Sequence, residues 1–289
     1  MDSLLEAGLT PAETERRFEE SAETTTTPCC DGEMVWRMWG EGPPLVLLHG
    51  GYGSWRHWIK NIGTLSKTRR LYVADNPGLG DSASVPLPHS AEQLSGIIAV
   101  GIDQLIPAPA QFDLVGFSFG GLLGGHVGSI MGKRIRNLVV VAPGGLGITR
   151  TGERPPLAKI RSHMSEAELV EAHRHNLSII MFHDATKIDD LALHLQRETV
   201  KRARVKSPLI ARTDTLARVL PNIKANLKAI YGEMDDATGT GLERRLALYR
   251  ESHPNIDFRV IKSAGHWVMY ETPEIFNTMV QEMTRANQD

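Results

Sequence analysis

Apolar residues along the chain gather in short continuous runs rather than in strict alternation with polar ones. EMVWRMWG (Glu33–Gly40), PLVLLHGG (Pro44–Gly51), RLYVADNPG (Arg70–Gly78), FDLVGFS (Phe112–Ser118), IRNLVVVAPGG (Ile135–Gly145), LKAIYGEMDD (Leu227–Asp236) and FRVIKSAGHW (Phe258–Trp267) each fit a strand buried on both faces. Helical stretches separate them, at Trp55 to Ser66, Ser90 to Leu105 and Phe119 to Met131, and a further helix leads the chain from Pro11 to Glu20. Such alternation predicts a mostly parallel sheet covered by helices on both faces.

One stretch departs from that rhythm. From about Ile148 to Pro221 the pattern holds no convincing strand, only charge-rich helical segments such as SEAELVEAHRHNLSIIMF (Ser165–Phe182) and DDLALHLQRETVKRA (Asp189–Ala203). In the second, Leu191 and Leu195 are one turn apart and share a face. An all-helical insertion after strand six reads as a cap, so the expected division is a core of residues 1–147 and 222–289 with a lid at 148–221. TTTT (Thr24–Thr27) reads as a surface connection, and no internal repeat interrupts the pattern.

Length and charge narrow the function. With 289 residues the chain can bury one large core carrying an insertion. A net charge of −2 gives no electrostatic reason to bind nucleic acid or an anionic membrane, which leaves a small, fairly neutral molecule as the expected partner. The basic run KRARVK (Lys201–Lys206) reads as a solvated helix face. No apolar run reaches the ~18 residues of a membrane helix, and the acidic N-terminal segment is unlike a secretory signal. The two cysteines, Cys29 and Cys30, are adjacent, which suits a reducing compartment better than a structural disulfide; a cytoplasmic location is expected. A homodimer remains open.

GFSFG (Gly116–Gly120) fits GxSxG and lies directly between a strand and a helix, the context that motif requires. A serine on so tight a turn adopts a strained backbone, so its neighbours must be small. Gly116 and Gly120 fill those positions, and Gly121, Gly124 and Gly125 let the helix approach the sheet. The turn points Ser118 outward and aims the Phe119 amide, with the positive helix end, at a developing oxyanion. A serine hydroxyl near neutral pH needs a base, and the base needs an orienting acid. Of 11 histidines, His266 in SAGHW is the one that directly follows the last strand; Asp235 in YGEMDD ends the strand before it with the spacing GxxD, although the adjacent Asp236 leaves the acid open by one position. LLHGGYGSW (Leu47–Trp55) places Gly51 where a second oxyanion amide belongs. DNPGLGDS (Asp75–Ser82) reads as a structural turn. A metal site from His173, His175 and His183 is disfavoured, because residues two apart do not share a helix face.

With these motifs assembled, the sequence resembles the α/β-hydrolase superfamily from about Met34 onward, in HGG (His49–Gly51), DxPGxGxS (Asp75–Ser82), GxSxGG (Gly116–Gly121), GxxD (Gly232–Asp235) and GHW (Gly265–Trp267). The resemblance implies an eight-stranded sheet, a serine nucleophile, an acyl-enzyme and no cofactor. Within the superfamily it is most similar to hydrolases of meta-cleavage products and related carboxylesterases, through APGGLG, Trp267 and the helical cap. It implies Arg197 as a candidate to hold a substrate carboxylate or enolate. One departure is Phe117, where the carbon–carbon hydrolases tend to carry asparagine.

The expected activity is therefore serine hydrolysis of a small, largely apolar ester, lactone or vinylogous 1,5-diketone. Ser118, Asp235 and His266 would be catalytic, Gly51 and Phe119 would form the oxyanion hole, and Phe117, Trp267 and Arg197 would meet the substrate. The alternatives are a receptor-like member of the fold with slow turnover and a cofactor-free lyase or perhydrolase.

Overall fold

The computed structural model describes residues 2–6, 8–148, 153–235 and 241–285. Thr10 opens the first helix with a capping box, its hydroxyl accepting from the Glu13 amide while the Glu13 carboxylate accepts from the Thr10 amide. In chain order the elements are α1 (Pro11–Glu20), β1 (Glu23–Cys29), β2 (Gly32–Trp39), β3 (Pro44–Leu48), α2 (Ile59–Leu65), β4 (Arg70–Ala74), α3 (Ala91–Leu105), β5 (Phe112–Phe117), α4 (Phe119–Met131), β6 (Ile135–Val141), α5 (Glu166–Ile180), α6 (Asp190–Lys201), α7 (Ser207–Ala211), α8 (Thr215–Val219), β7 (Asn226–Gly232), α9 (Leu242–Ser252), β8 (Asp257–Ile261), α10 (Val268–Glu271) and α11 (Pro273–Met283).

The eight strands form one sheet in the order β1-β2-β4-β3-β5-β6-β7-β8. β2 is antiparallel to both β1 and β4, and every other pairing is parallel. Side chains alternate across it. Val46, Leu48 and Leu114 join Leu94, Ile98 and Leu122 on one face, while Leu45, Leu47 and Val115 join Trp58, Ile62 and Phe276 on the other.

Two readings of the sequence need correction. Thr24–Thr27 is no surface connection: it lies in β1, where Thr27 pairs with Met34 and its hydroxyl accepts from Trp36 Nε1 at 2.9 Å. Threonine suits an edge strand with one wet face, yet it adds nothing to an apolar pattern. Lys201–Lys206 is no solvated helix face either. α6 ends at Lys201; the Arg204 amide donates to Gly78 O at 3.0 Å, its guanidinium to Gly80 O and Ser82 O, and Val205 is buried.

The helical insertion between β6 and β7 straddles the sheet. Leu177, Ala192 and Leu195, from α5 and α6, join one core face, and Val205, Leu216 and Leu220 join the other. α6 is also tied to α1 through Glu15, whose carboxylate accepts from His194 Nε2 and Arg56 Nε, each at 2.6 Å. Burial pushes the pKa of Glu15 up, but those bonds outweigh it and hold the pKa at about 2.

Candidate active site

Ser118 occupies the turn from β5 into α4 with φ 52° and ψ −111°, and its amide donates to Val141 O at 2.7 Å. A side chain on Gly120 would not fit there, because its Cβ would fall 2.3 Å from Leu48 O and 2.5 Å from His49 O. Backbone from the end of β3 crowds the turn at Ser118, and glycine is what lets it close.

β7 and β8 deliver the other two groups. At Gly232 a Cβ would sit 2.1 Å from Gly265 O, so the loops leaving these neighbouring strands cross in contact. That crossing brings Asp235 and His266 together: Asp235 Oδ2 lies 2.8 Å from His266 Nδ1, and His266 Nε2 lies 2.9 Å from Ser118 Oγ. Both separations are ordinary hydrogen bonds. Asp235 and His266 are buried and Ser118 is half-buried. Asp236 lies outside the described residues.

Gly51 follows β3, and a methyl group on it would come 3.7 Å from Phe119 Cβ. Two backbone segments thus converge beside Ser118, and among the described residues neither the Gly51 nor the Phe119 amide has an acceptor. α4 adds the positive end of a 13-residue helix.

A pair of buried imidazoles supports this turn. His49 Nδ1 donates to Gly50 O at 2.7 Å and its Nε2 accepts from the Asn76 amide at 2.9 Å, an arrangement available only to the neutral ring. His57 Nδ1 accepts from the Gly50 amide at 3.2 Å, and its ring packs against Trp267 at 5.0 Å and Phe117 at 5.7 Å. Burial lowers the pKa of His49 and depresses that of His57 far more, with the nearby rings of His49 and His266 lowering His57 further. Asp75, fully buried, accepts from the Trp55 and Asp81 amides at 2.7 and 3.0 Å and pairs with Arg37, which fixes the loop after β4.

Phe117 and Trp267 are 1% and 0% exposed, so neither presents surface to a substrate in this conformation. Phe117 packs on the His266 ring at 4.9 Å, and Trp267 Nε1 donates to His57 O at 3.1 Å. They brace the site from behind. Arg197, on α6, pairs with Glu166 on α5 at 2.5 Å, which joins two helices of the insertion. His175 Nε2 donates to Pro156 O at 3.0 Å, and among the described residues no group of three His, Cys, Asp or Glu is placed to hold a metal. Cys29 and Cys30 are both free thiols.

Pattern reading missed Glu271. Its buried carboxylate accepts from Gly265 N at 2.7 Å, Asp184 N at 2.8 Å and His183 N at 3.1 Å, so one side chain joins the histidine loop to the segment that follows α5. The only sequence signal is its place five residues after His266. His57 is marked by nothing in the sequence beyond its nearness to HGG.

The sequence pattern of the Alpha/beta hydrolase family matches residues 45–278, and the chain belongs to that family. The 2-hydroxy-6-oxo-6-phenylhexa-2,4-dienoate hydrolase of Burkholderia cepacia is 27% identical over 260 residues, 83% of this chain and 87% of that protein. A local match, 34% over 112 residues, joins it to the dihydrolipoyllysine-residue acetyltransferase component of an acetoin cleaving system in Pseudomonas putida; it covers 39% of this chain and only 30% of that protein. Among solved structures, a carboxylesterase from Bacillus subtilis superposes with a TM-score of 0.69 at 19% identity, over 94% of this chain and 97% of its own. Among the described residues no helix is long and apolar enough to cross a membrane.

Proposed function

We propose that the protein is a serine hydrolase that cleaves a small, largely apolar ester or lactone through an acyl-enzyme on Ser118. One observation carries this reading: the unbroken hydrogen-bonded chain from Asp235 through His266 to Ser118, set at the start of α4. His266 Nε2 takes the Ser118 proton as Oγ bonds to the carbonyl carbon, and the C=O pair moves onto oxygen. The Gly51 and Phe119 amides hold that oxyanion. Its collapse breaks the bond to the leaving alkoxide, which receives the proton from His266. Water, deprotonated by the same ring, then frees the acid. Asp235 fixes the ring's orientation and stabilises its charged form.

A vinylogous 1,5-diketone is the second substrate class, supported by the name of the Burkholderia relative. Two features favour the ester or lactone: apolar Phe117 stands directly before the nucleophile, and Arg197 is already paired with Glu166. The test is a panel of nitrophenyl esters, lactones and ring-cleavage dienones with the wild-type protein and with Ser118→Ala and His266→Ala. Sustained ester turnover that either variant lowers by about 10⁶ fits the proposal. One equivalent of product followed by silence points to a receptor-like role instead, and retained turnover in Ser118→Ala overturns the nucleophile.

A further inference from the structure

The oxyanion turn is not bounded by backbone alone. Ser207, the first residue of α7, comes from the helical insertion and is 3% exposed. Its hydroxyl lies against Gly51: a Cβ there would fall 2.2 Å from Ser207 Oγ and 3.0 Å from Ser207 Cβ, on the same glycine face that meets Phe119 Cβ at 3.7 Å. Among the described residues this hydroxyl has no hydrogen-bond partner, and Oγ keeps some accessible surface, unlike the fully enclosed orphan atoms Trp55 Nε1 and Trp58 Nε1. A side-chain O–H that has no partner among the described residues and lies against Gly51 is placed to donate.

Its position is also held firmly. Three residues upstream, Arg204 is anchored to Gly78, Gly80 and Ser82; at the other end of α7, Gly145 N donates to Ala211 O at 2.7 Å. Both anchors lie on loops leaving the sheet, so the hydroxyl is held in place beside Gly51.

We propose that Ser207 donates a third hydrogen bond to the oxyanion. This rests on the hydrolase reading above. No proton is transferred: the Ser118 proton still goes to His266, the carbonyl pair still moves onto oxygen, and Ser207 O–H shares that charge with the two amides. A donor that acts only on the tetrahedral state raises kcat and leaves ground-state binding alone.

Ser207→Ala and Ser207→Thr are compared with the wild type for nitrophenyl ester turnover, and for inhibition by an alkyl boronic acid, which forms a tetrahedral adduct on Ser118. The alanine variant should lose about 10² in kcat with KM unchanged. Boronate affinity should fall by a similar factor, and threonine should recover part of both. Unchanged kcat in Ser207→Ala overturns the proposal, as does a loss of kcat with boronate affinity intact. A thermal midpoint lowered along with kcat while boronate affinity holds also overturns it, since the hydroxyl would then be structural. Ser118→Ala separates the two claims: if that variant is inactive and Ser207→Ala is not, only the third donor fails.

Discussion

Replacing Ser118 by alanine and by glycine separates the chemistry of the position from its conformation. Both changes delete the hydroxyl, and each should abolish ester turnover. Only glycine also relieves the backbone. At φ 52° and ψ −111° Ser118 sits near the first central position of a type II′ turn, about +60° and −120°, a region that glycine enters freely and other residues do not. Holding a side chain there costs on the order of 1–3 kcal/mol. Against this, glycine gives the unfolded chain extra freedom worth about 0.4–1 kcal/mol. The difference leaves Ser118→Gly more stable than Ser118→Ala by about 1.3 kcal/mol at the centre of these ranges and at most about 2.6 kcal/mol. For a chain of 289 residues the central value corresponds to a thermal midpoint higher by about 3–5 °C. Thermal and urea unfolding of the two purified variants measure it, and equal slopes in urea would assign the shift to stability alone. A glycine variant no more stable than the alanine variant would refute the idea that the fold stores strain at Ser118.

Asp235→Asn should lower kcat by about 10⁴ through loss of the orienting carboxylate, whereas Asp236→Asn should keep most activity; the reverse outcome moves the acid by one residue. Glu271→Ala leaves the buried Gly265 amide and the part-buried His183 and Asp184 amides without their acceptor and should cost about 1–3 kcal/mol in urea unfolding, with a fall in kcat as the histidine loop loosens; unchanged values for both would remove its positioning role. His49 and His57 are held below the ordinary value of 6.5, so on acidification the unfolded chain takes up protons that the folded state refuses. Stability is then full above about pH 6.5 and falls below it by up to about 1.4 kcal/mol per pH unit for each ring. Urea midpoints that stay level from about pH 7 to pH 5 would contradict the buried neutral rings.

Much of the fold could be read because parallel strands buried on both faces are continuous apolar runs. Seven of the eight strands announce themselves that way, and α1 and α4 have the bounds that Pro11–Glu20 and Phe119–Met131 suggest. β1 escaped because its residues are chosen for pairing rather than burial. Four threonines carry the register with β2 while most of the strand faces water. Within the site, the residues that chemistry restricts were the visible ones. A serine on a strand-to-helix turn needs small neighbours, and a carboxylate that reaches a histidine across two loops needs glycine where those loops cross. Such requirements leave a spacing behind.

Supporting groups leave none. Glu271 works through backbone amides of His183 and Asp184, and any sequence supplies amides. Ser207 meets Gly51 only because Arg204 and Ala211 fix α7 to loops more than 60 residues earlier in the chain. Arg204 shows the difficulty plainly: in KRARVK its charge suggests solvent, yet three carbonyls claim it and the buried Val205 beside it. A basic residue that satisfies carbonyl oxygens looks, in one dimension, the same as one that faces water. The site is therefore legible where function restricts residue type, and illegible where the insertion meets the sheet through main-chain hydrogen bonds. Those are the contacts that fix the helical insertion against the loops leaving the sheet and bring Ser207 beside Gly51, and they lie in the part of the chain that pattern reading resolves least.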